Sequence, residues 1–299
     1  MKKRRRHRVP PCTAALLAVI ACACGGDSND LPPPPMGPVG GEERPVDVYV
    51  PPSYDGSTPM PLVILLHSYT ITGAFAESVF GLKPVAAERG FLLAVPEGKV
   101  DSMGAPYWNA TSGCCDFDGS GVDDSGYLAR VIRDIEVRWN VDRRRVFTIG
   151  VSNGGFMGHR MACDHADLVA GIVSIAGATD IDPSLCHPGQ GVHILHIHGT
   201  ADNVIRFDGG SFTGPYPSAP ETVRRWVELN GCGAPEPGPM VDADASTPGA
   251  ETRVTRYTEG CRPGGSVEFW EMIGAGHYFF PTAEFKRVVV DYFFSHPKP

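Results

Sequence analysis

Apolar positions in this chain come in short bursts of two kinds. "RPVDVYV" (44–50) alternates with a period of two and predicts an amphipathic strand. "LVILLH" (62–67) is continuously apolar, as in a strand buried on both faces. A helix is predicted from Phe75 to Arg89, then a strand at "FLLAV". In "DDSGYLARVIRDIEVRW", Leu128, Val131, Ile132, Ile135 and Trp139 fall on one helical stripe. "RVFTIG", a helix from Gly154, "GIVSIAG" and "VHILHIHG" continue the alternation. "TVRRWVELNGC" is a helix stopped by glycine, and "SVEFWEM" is a strand. In the closing helix, Phe285, Val288, Val289, Tyr292 and Phe293 form the apolar side. Buried strands alternating with helices predict an α/β fold, a mostly parallel central sheet with helices on both faces. The segment "GAPEPGPMVDADASTPGAET" (233–252) has no such period and is expected to be a mobile surface excursion.

The first 43 residues follow other rules. "MKKRRRHR" is basic, and "CTAALLAVIACAC" is an apolar run of about a dozen residues, the pattern of an export signal over 1–21. That run is shorter than the ~20 residues a spanning helix needs. Val19-Ile20-Ala21-Cys22 resembles a bacterial lipobox, which would leave Cys22 for lipid attachment. Ordinary secretion is the alternative, and Cys24 is a second candidate with Ala21 where a branched residue is usual. Any membrane contact would run through the lipid alone, and the leaflet that holds it stays open. Residues 22–43, rich in proline and glycine, read as a semi-rigid spacer, leaving 44–299 as the catalytic domain.

Charge narrows the partners. The whole chain carries −8, but residues 1–21 hold six of its 26 basic residues and no acidic ones. The mature chain, with 20 basic against 34 acidic residues, stands at −14. Nucleic acid and anionic lipid are therefore poor partners. The charge says little about a neutral substrate, and a monomer is expected.

Six of the nine cysteines lie in the catalytic domain. In an exported protein an even number suggests disulfides, with 15 connectivities available to six. Cys163–Cys186 and Cys232–Cys261 would each bracket one supersecondary unit. Adjacent Cys114 and Cys115 would then pair with each other.

The chemistry starts at "RVFTIGVSNGG". Gly150-Val151-Ser152-Asn153-Gly154 fits G-x-S-x-G between a predicted strand and a predicted helix, the setting of a nucleophile elbow. With 36 glycines in the chain the bare pattern says little, and the partners decide. In this arrangement the acid and then the histidine follow the serine. Asp202 lies just past the strand "VHILHIHG", and His277 just past "SVEFWEM", at the strand ends where catalytic groups gather. Ser152, Asp202 and His277 are thus the candidate nucleophile, acid and base. The oxyanion would need two backbone donors, Asn153 N–H and Tyr69 N–H, with Ser68 as an alternative to the latter. Ser68 and Trp108 are the candidate substrate contacts; Tyr107 and Trp108 would either wall an acyl or aryl pocket or pack in the core.

Two further clusters invite other readings. His193, His196 and His198 crowd one strand, which suggests either a metal or simple packing. "DFDGSGVDD" resembles the start of a calcium loop, but Tyr127 stands where the closing glutamate belongs, and Asp124 suits a helix N-cap. Neither is complete, so no metal or cofactor is assigned.

"LVILLHSYTITG", "GFLLAVPEG", "YWNATSGCCD", "GVDDSGYL", "GVSNGGFMGHRMAC", "HIHGTADNVIRFDGG" and "GAGHYF" occur in the order and spacing of a known group. The chain resembles the polyhydroxybutyrate depolymerase/feruloyl esterase-like family of α/β-hydrolases over about residues 44–295. The resemblance implies an extracellular serine esterase for polyesters, plant-wall phenolics or acylated sugars, with Ser152, Asp202 and His277 as its triad. Ser68 and Thr70 stand where that group usually has glycines, and "GAGHYFFP" lacks its Trp-Pro-Gly ending. Two alternatives remain at the sequence level. One is a peptidase or amidase with the same triad, and the other a non-catalytic cell-surface binding protein on the hydrolase fold.

Overall fold

The computed structural model describes residues 37–299. The signal segment, Cys22 and most of the predicted spacer lie outside them. The strands and helices follow in the order β1 (Asp47–Tyr49), β2 (Met60–Leu66), α1 (Gly73–Phe80), α2 (Leu82–Arg89) and β3 (Leu92–Val95). A small ribbon, β4 (Lys99–Val100) with β5 (Pro106–Tyr107), precedes α3 (Asp124–Arg138), β6 (Val141–Val151), α4 (Asn153–Asp164), β7 (Gly171–Ile175) and β8 (His193–Gly199). A second ribbon, β9 (Gly210–Ser211) with β10 (Pro215–Tyr216), leads to α5 (Ala219–Asn230). The chain ends through β11 (Glu236–Pro237), β12 (Thr252–Tyr257), β13 (Ser266–Met272) and α6 (Ala283–Ser295).

Nine strands form one sheet in the order β1-β3-β2-β6-β7-β8-β13-β12-β11. The six from β3 to β13 run parallel, and β1, β12 and β11 close the edges antiparallel. The continuous apolar runs are explained by the two faces. Leu62, Ile64 and Leu66 of β2 pack with α3, α4 and α5, whereas Val63 and Leu65 pack with α1, α2 and α6. A strand covered on both sides has no polar side to alternate with.

Several expectations are corrected. The predicted helix 75–89 is two helices, broken where Gly81 adopts φ 59° as the C-cap of α1. Glu77 then turns its carboxylate to the first amides of α2, accepting from Leu82 N at 3.2 Å and Lys83 N at 2.8 Å. The N-cap of α3 is Asp123, which accepts from Gly126 N, and Asp124 is buried against Arg44. The fold starts before residue 44, because Val39 is buried in the core and Gly40 N–H reaches Asp134. The excursion 233–252 is pinned in its middle. Glu251 accepts from Ala243 N and Asp244 N, and Asp244 accepts from Phe280 N. The strand β12 escaped prediction because Arg253 and Arg256 mask its period; they pair with Glu271 and Glu268 on β13.

The disulfides are Cys163–Cys186, Cys232–Cys261 and the adjacent Cys114–Cys115. The acidic loop satisfies its own carboxylates. Asp116 accepts from Ser120 and Gly121, and Asp118 from Ser102. Among the described residues no group of three His, Cys, Asp or Glu side chains is arranged to hold a metal.

The strand histidines are packing groups with fixed tautomers. Trp226 Nε1–H donates to His159 Nδ1 at 3.0 Å, so His159 carries its proton on Nε2 and gives it to His196 Nδ1 at 3.2 Å. Burial pushes His159 down to about 3, and His67 and His193 to about 4. In the unfolded chain these groups titrate near 6.5. Between pH 6.5 and 4 the unfolded state therefore binds protons that the folded state refuses, and stability falls as pH falls. Calorimetry from pH 7.5 to 4.5 should show Tm nearly level above pH 7 and dropping below 6.5, with net proton uptake on unfolding. A Tm that stays level down to pH 5 would contradict the neutral histidine assignment.

Candidate active site

The Ser152 backbone is strained by design of its neighbours. It holds φ 55° and ψ −121° between the end of β6 and the start of α4. Its N–H donates to Ile175 O at 2.8 Å, tying the turn to β7. The flanking glycines are needed for close approach. A Cβ on Gly154 would overlap the Leu66 carbonyl, and one on Gly150 would sit 2.6 Å from the Gly154 backbone. The turn thus presses against β2 and lifts the serine side chain above the sheet.

Two loops bring the partners to it. His277 Nε2 lies 3.1 Å from Ser152 Oγ, and His277 Nδ1 lies 2.8 Å from Asp202 Oδ2. These contacts require Nδ1–H toward the carboxylate and a bare Nε2 toward the hydroxyl. The two loops are fastened to each other: Ala201 N–H donates to Ala275 O at 3.0 Å and Gly274 N–H to Thr200 Oγ1 at 2.9 Å. Burial alone would raise the Asp202 pKa. Hydrogen bonds from His198, His277 and Val204 N–H outweigh it, so the carboxyl sits well below its usual range. Asp202 is therefore an anion throughout the neutral range.

The predicted oxyanion donors lie on neighbouring segments, Asn153 directly after Ser152 and Tyr69 on the loop after β2. Asn153 N–H is the first amide of α4, which has no intrahelical acceptor. Tyr69 follows β2 on a loop that lines the same cavity as Ser152. Its phenol donates to Asp101 Oδ2 at 2.7 Å. Ser68 also lines the cavity, but its hydroxyl is engaged with Val151 O at 3.0 Å.

Trp108 is not a substrate wall. It is fully buried, because its backbone is clamped from both sides by the Asn153 amide. Asn153 Oδ1 accepts from Trp108 N at 2.7 Å, and Asn153 Nδ2 donates to Trp108 O at 2.9 Å. The indole N–H then donates to His67 O at 3.0 Å. Trp108 is a bolt between the serine turn and the loop after β2. Tyr107 is likewise buried, with its hydroxyl on Ser120. His67 completes the bolt. Its ring joins Ser68 O at 2.8 Å and takes Gly98 N–H at 2.9 Å. The sequence signal for this role was the pairing of "WN" with the asparagine after the serine, which reads as structural only once the contact is seen.

The cavity over Ser152 measures about 480 Å3 and is mostly apolar. Leu66, Ala76, Phe80 and Phe279 form its buried end, and Phe75, Phe212, Tyr278 and Phe280 its exposed mouth. These walls were missed from sequence. Those from α1 carry an ordinary helical period, Leu66 ends the apolar run of β2, and the others sit in loops without a period.

No family model matches the chain. Feruloyl esterase B of Piromyces equi is 28% identical over 248 residues, 78% of this chain. The aligned region spans only 42% of that relative's length. Feruloyl esterase D of Neurospora crassa is 25% identical over 80% of this chain and 75% of its own. Among solved structures, the acetyl xylan esterase from Aspergillus awamori superposes with a TM-score of 0.62 at 18% identity, covering 83% of this chain and 93% of that one. The chain is similar in sequence to feruloyl esterases and has the α/β-hydrolase fold. In this fold the Ser152 turn, the Asp202 loop and the His277 loop stand at the C-terminal ends of β6, β8 and β13.

The Asn153 clamp can be tested apart from chemistry. Asn153→Ala keeps the backbone amide but orphans the Trp108 N–H and C=O in the core. Buried orphans cost about 1–3 kcal/mol each. Tm should fall by roughly 5 °C or more for a domain of this size. An unchanged Tm in a thermal melt would show that the clamp carries no stability.

Proposed function

We propose that the protein is a serine carboxylic ester hydrolase acting through Ser152, His277 and Asp202. The observation that carries this reading is the unbroken relay from Asp202 Oδ2 through His277 to Ser152 Oγ, at 2.8 and 3.1 Å, opening on one apolar cavity. Ser152 Oγ attacks the ester carbonyl carbon while His277 Nε2 takes its proton. The carbonyl oxygen becomes an oxyanion facing the N–H groups of Asn153 and Tyr69. The tetrahedral adduct collapses, the alkoxide leaves with the proton from His277, and an acyl-enzyme remains. Water, deprotonated by His277, repeats the sequence and frees the acid. Asp202, held anionic, orients the ring and stabilises its cation.

The substrate follows from the cavity and the relatives together. An apolar cavity of this size suits a short aliphatic or an aryl acyl group. The relatives are named for feruloyl and acetyl xylan esters. We read the chain as acting on acyl esters of that plant-wall kind. Three disulfides fit an oxidising compartment, and together with the basic-apolar head they support export with a lipid on Cys22.

The purified protein should hydrolyse p-nitrophenyl acetate and butyrate and methyl ferulate, and a fluorophosphonate should label it once. Ser152→Ala should abolish both. Asp202→Asn should lower kcat by about 10^3–10^4 with the fold retained. A folded protein without turnover or labelling would sink the catalytic reading in favour of a binding role.

A further inference from the structure

Thr70 is the one β-branched residue in the described chain with positive φ, at 71°, a conformation in which a branched Cβ is crowded. Nothing in the fold compensates its side chain. Thr70 is exposed, and what fixes its backbone is the N–H, which donates to Pro106 O at 2.9 Å. Glycine would make the same hydrogen bond without crowding. The strain therefore accompanies a side chain that packs against little of its own protein, which points outward to a ligand.

The side chain lines the cavity of Ser152, one residue beyond the Tyr69 amide. The hydroxyls before it in this loop are committed, Ser68 to Val151 O and Tyr69 to Asp101. Among the described residues the Thr70 hydroxyl has no hydrogen-bond partner. The two halves of an ester are distinguished by the cavity's own shape. After the first step the acyl group stays on Ser152, so it belongs in the closed end among Leu66, Ala76, Phe80 and Phe279. The alcohol must leave to solvent, so it occupies the open mouth where Thr70 and the exposed Tyr278 stand.

We infer that Thr70 is a specificity-determining residue that hydrogen-bonds the alcohol half of the ester, selecting alcohols with a hydroxyl next to the ester carbon over plain alkyl alcohols. This rests on the esterase reading above. The mouth thus reads a polyol, while the closed end reads the acyl group.

The test compares 2,3-dihydroxypropyl butyrate with propyl butyrate, which share an acyl group and differ only in alcohol hydroxyls. The ratio of their kcat/KM values is measured for the full protein and for Thr70→Val, Thr70→Ser and Thr70→Gly. Thr70→Val keeps the shape and removes the hydroxyl, and should lower the ratio about three- to tenfold, the worth of one net hydrogen bond. Thr70→Ser should hold the ratio within about twofold. Thr70→Gly should lower it as valine does, yet raise Tm by about 2 °C through relief of the crowded φ. An unchanged ratio in Thr70→Val, or a lower Tm in Thr70→Gly, overturns the assignment while leaving the esterase reading intact. Absence of turnover on both esters by the unmodified protein overturns the esterase reading, and this assignment falls with it.

Discussion

The site depends on one crowded contact, the serine turn pressed against β2. Gly150 and Gly154 allow the turn to reach the Leu66 carbonyl, and no side chain would fit at either position. The contact fixes two things together. It sets Ser152 at φ 55°, with its hydroxyl raised toward the loops that carry the histidine and the acid. It also places the first amide of α4 beside the serine, since that amide follows the serine directly. A backbone strain of this kind costs on the order of 1–3 kcal/mol and persists only where packing over-determines it. Here the N–H of Ser152 on β7 and the glycine contacts on β2 supply that constraint from both sides.

A second layer ties the loop after β2 to the serine turn. Asn153 belongs to the serine turn, Trp108 to the loop after β5, and His67 to the end of β2. The hydrogen bonds Asn153–Trp108 and Trp108–His67 join these three segments into one body. His67 then engages Ser68 O and Gly98 N–H, and so fixes the peptide that contains the Tyr69 amide. Burial keeps this ring neutral, which lets one nitrogen accept and the other donate. Preorganised amides are effective because they need no reorientation when charge develops. A neutral buried ring is a suitable support for them, since its hydrogen bonds do not change with pH in the neutral range.

The cavity shows how little of the recognition surface the sheet itself provides. Its walls come from α1, from the loop after β8 and from the segment around Tyr278. The middle of the 233–252 excursion braces that segment by accepting Phe280 N–H on Asp244. A stretch that looks structureless in composition thus supports the wall beside the histidine. Its polar residues are spent on backbone amides, which compensates for the absence of regular secondary structure there.

The sequence by itself determined the α/β architecture and singled out three side chains that the fold brings into contact. Parallel-sheet strands covered on both faces leave continuous apolar runs, and helices over them leave stripes, so the alternation is written in composition. Ser152, Asp202 and His277 are legible because each follows a recognisable strand end, and chain order assigns them the proposed parts of nucleophile, acid and base. What the tertiary structure decided is contact between segments distant in sequence. Trp108 looks like an aromatic wall until Asn153, 45 positions away, is seen to clamp its backbone. The break at Gly81, the bracing by Asp244 and the masked strand β12 are of the same kind. Each depends on which partner a polar group finds, and a single chain position carries its donors and acceptors but not the identity of the group that will meet them.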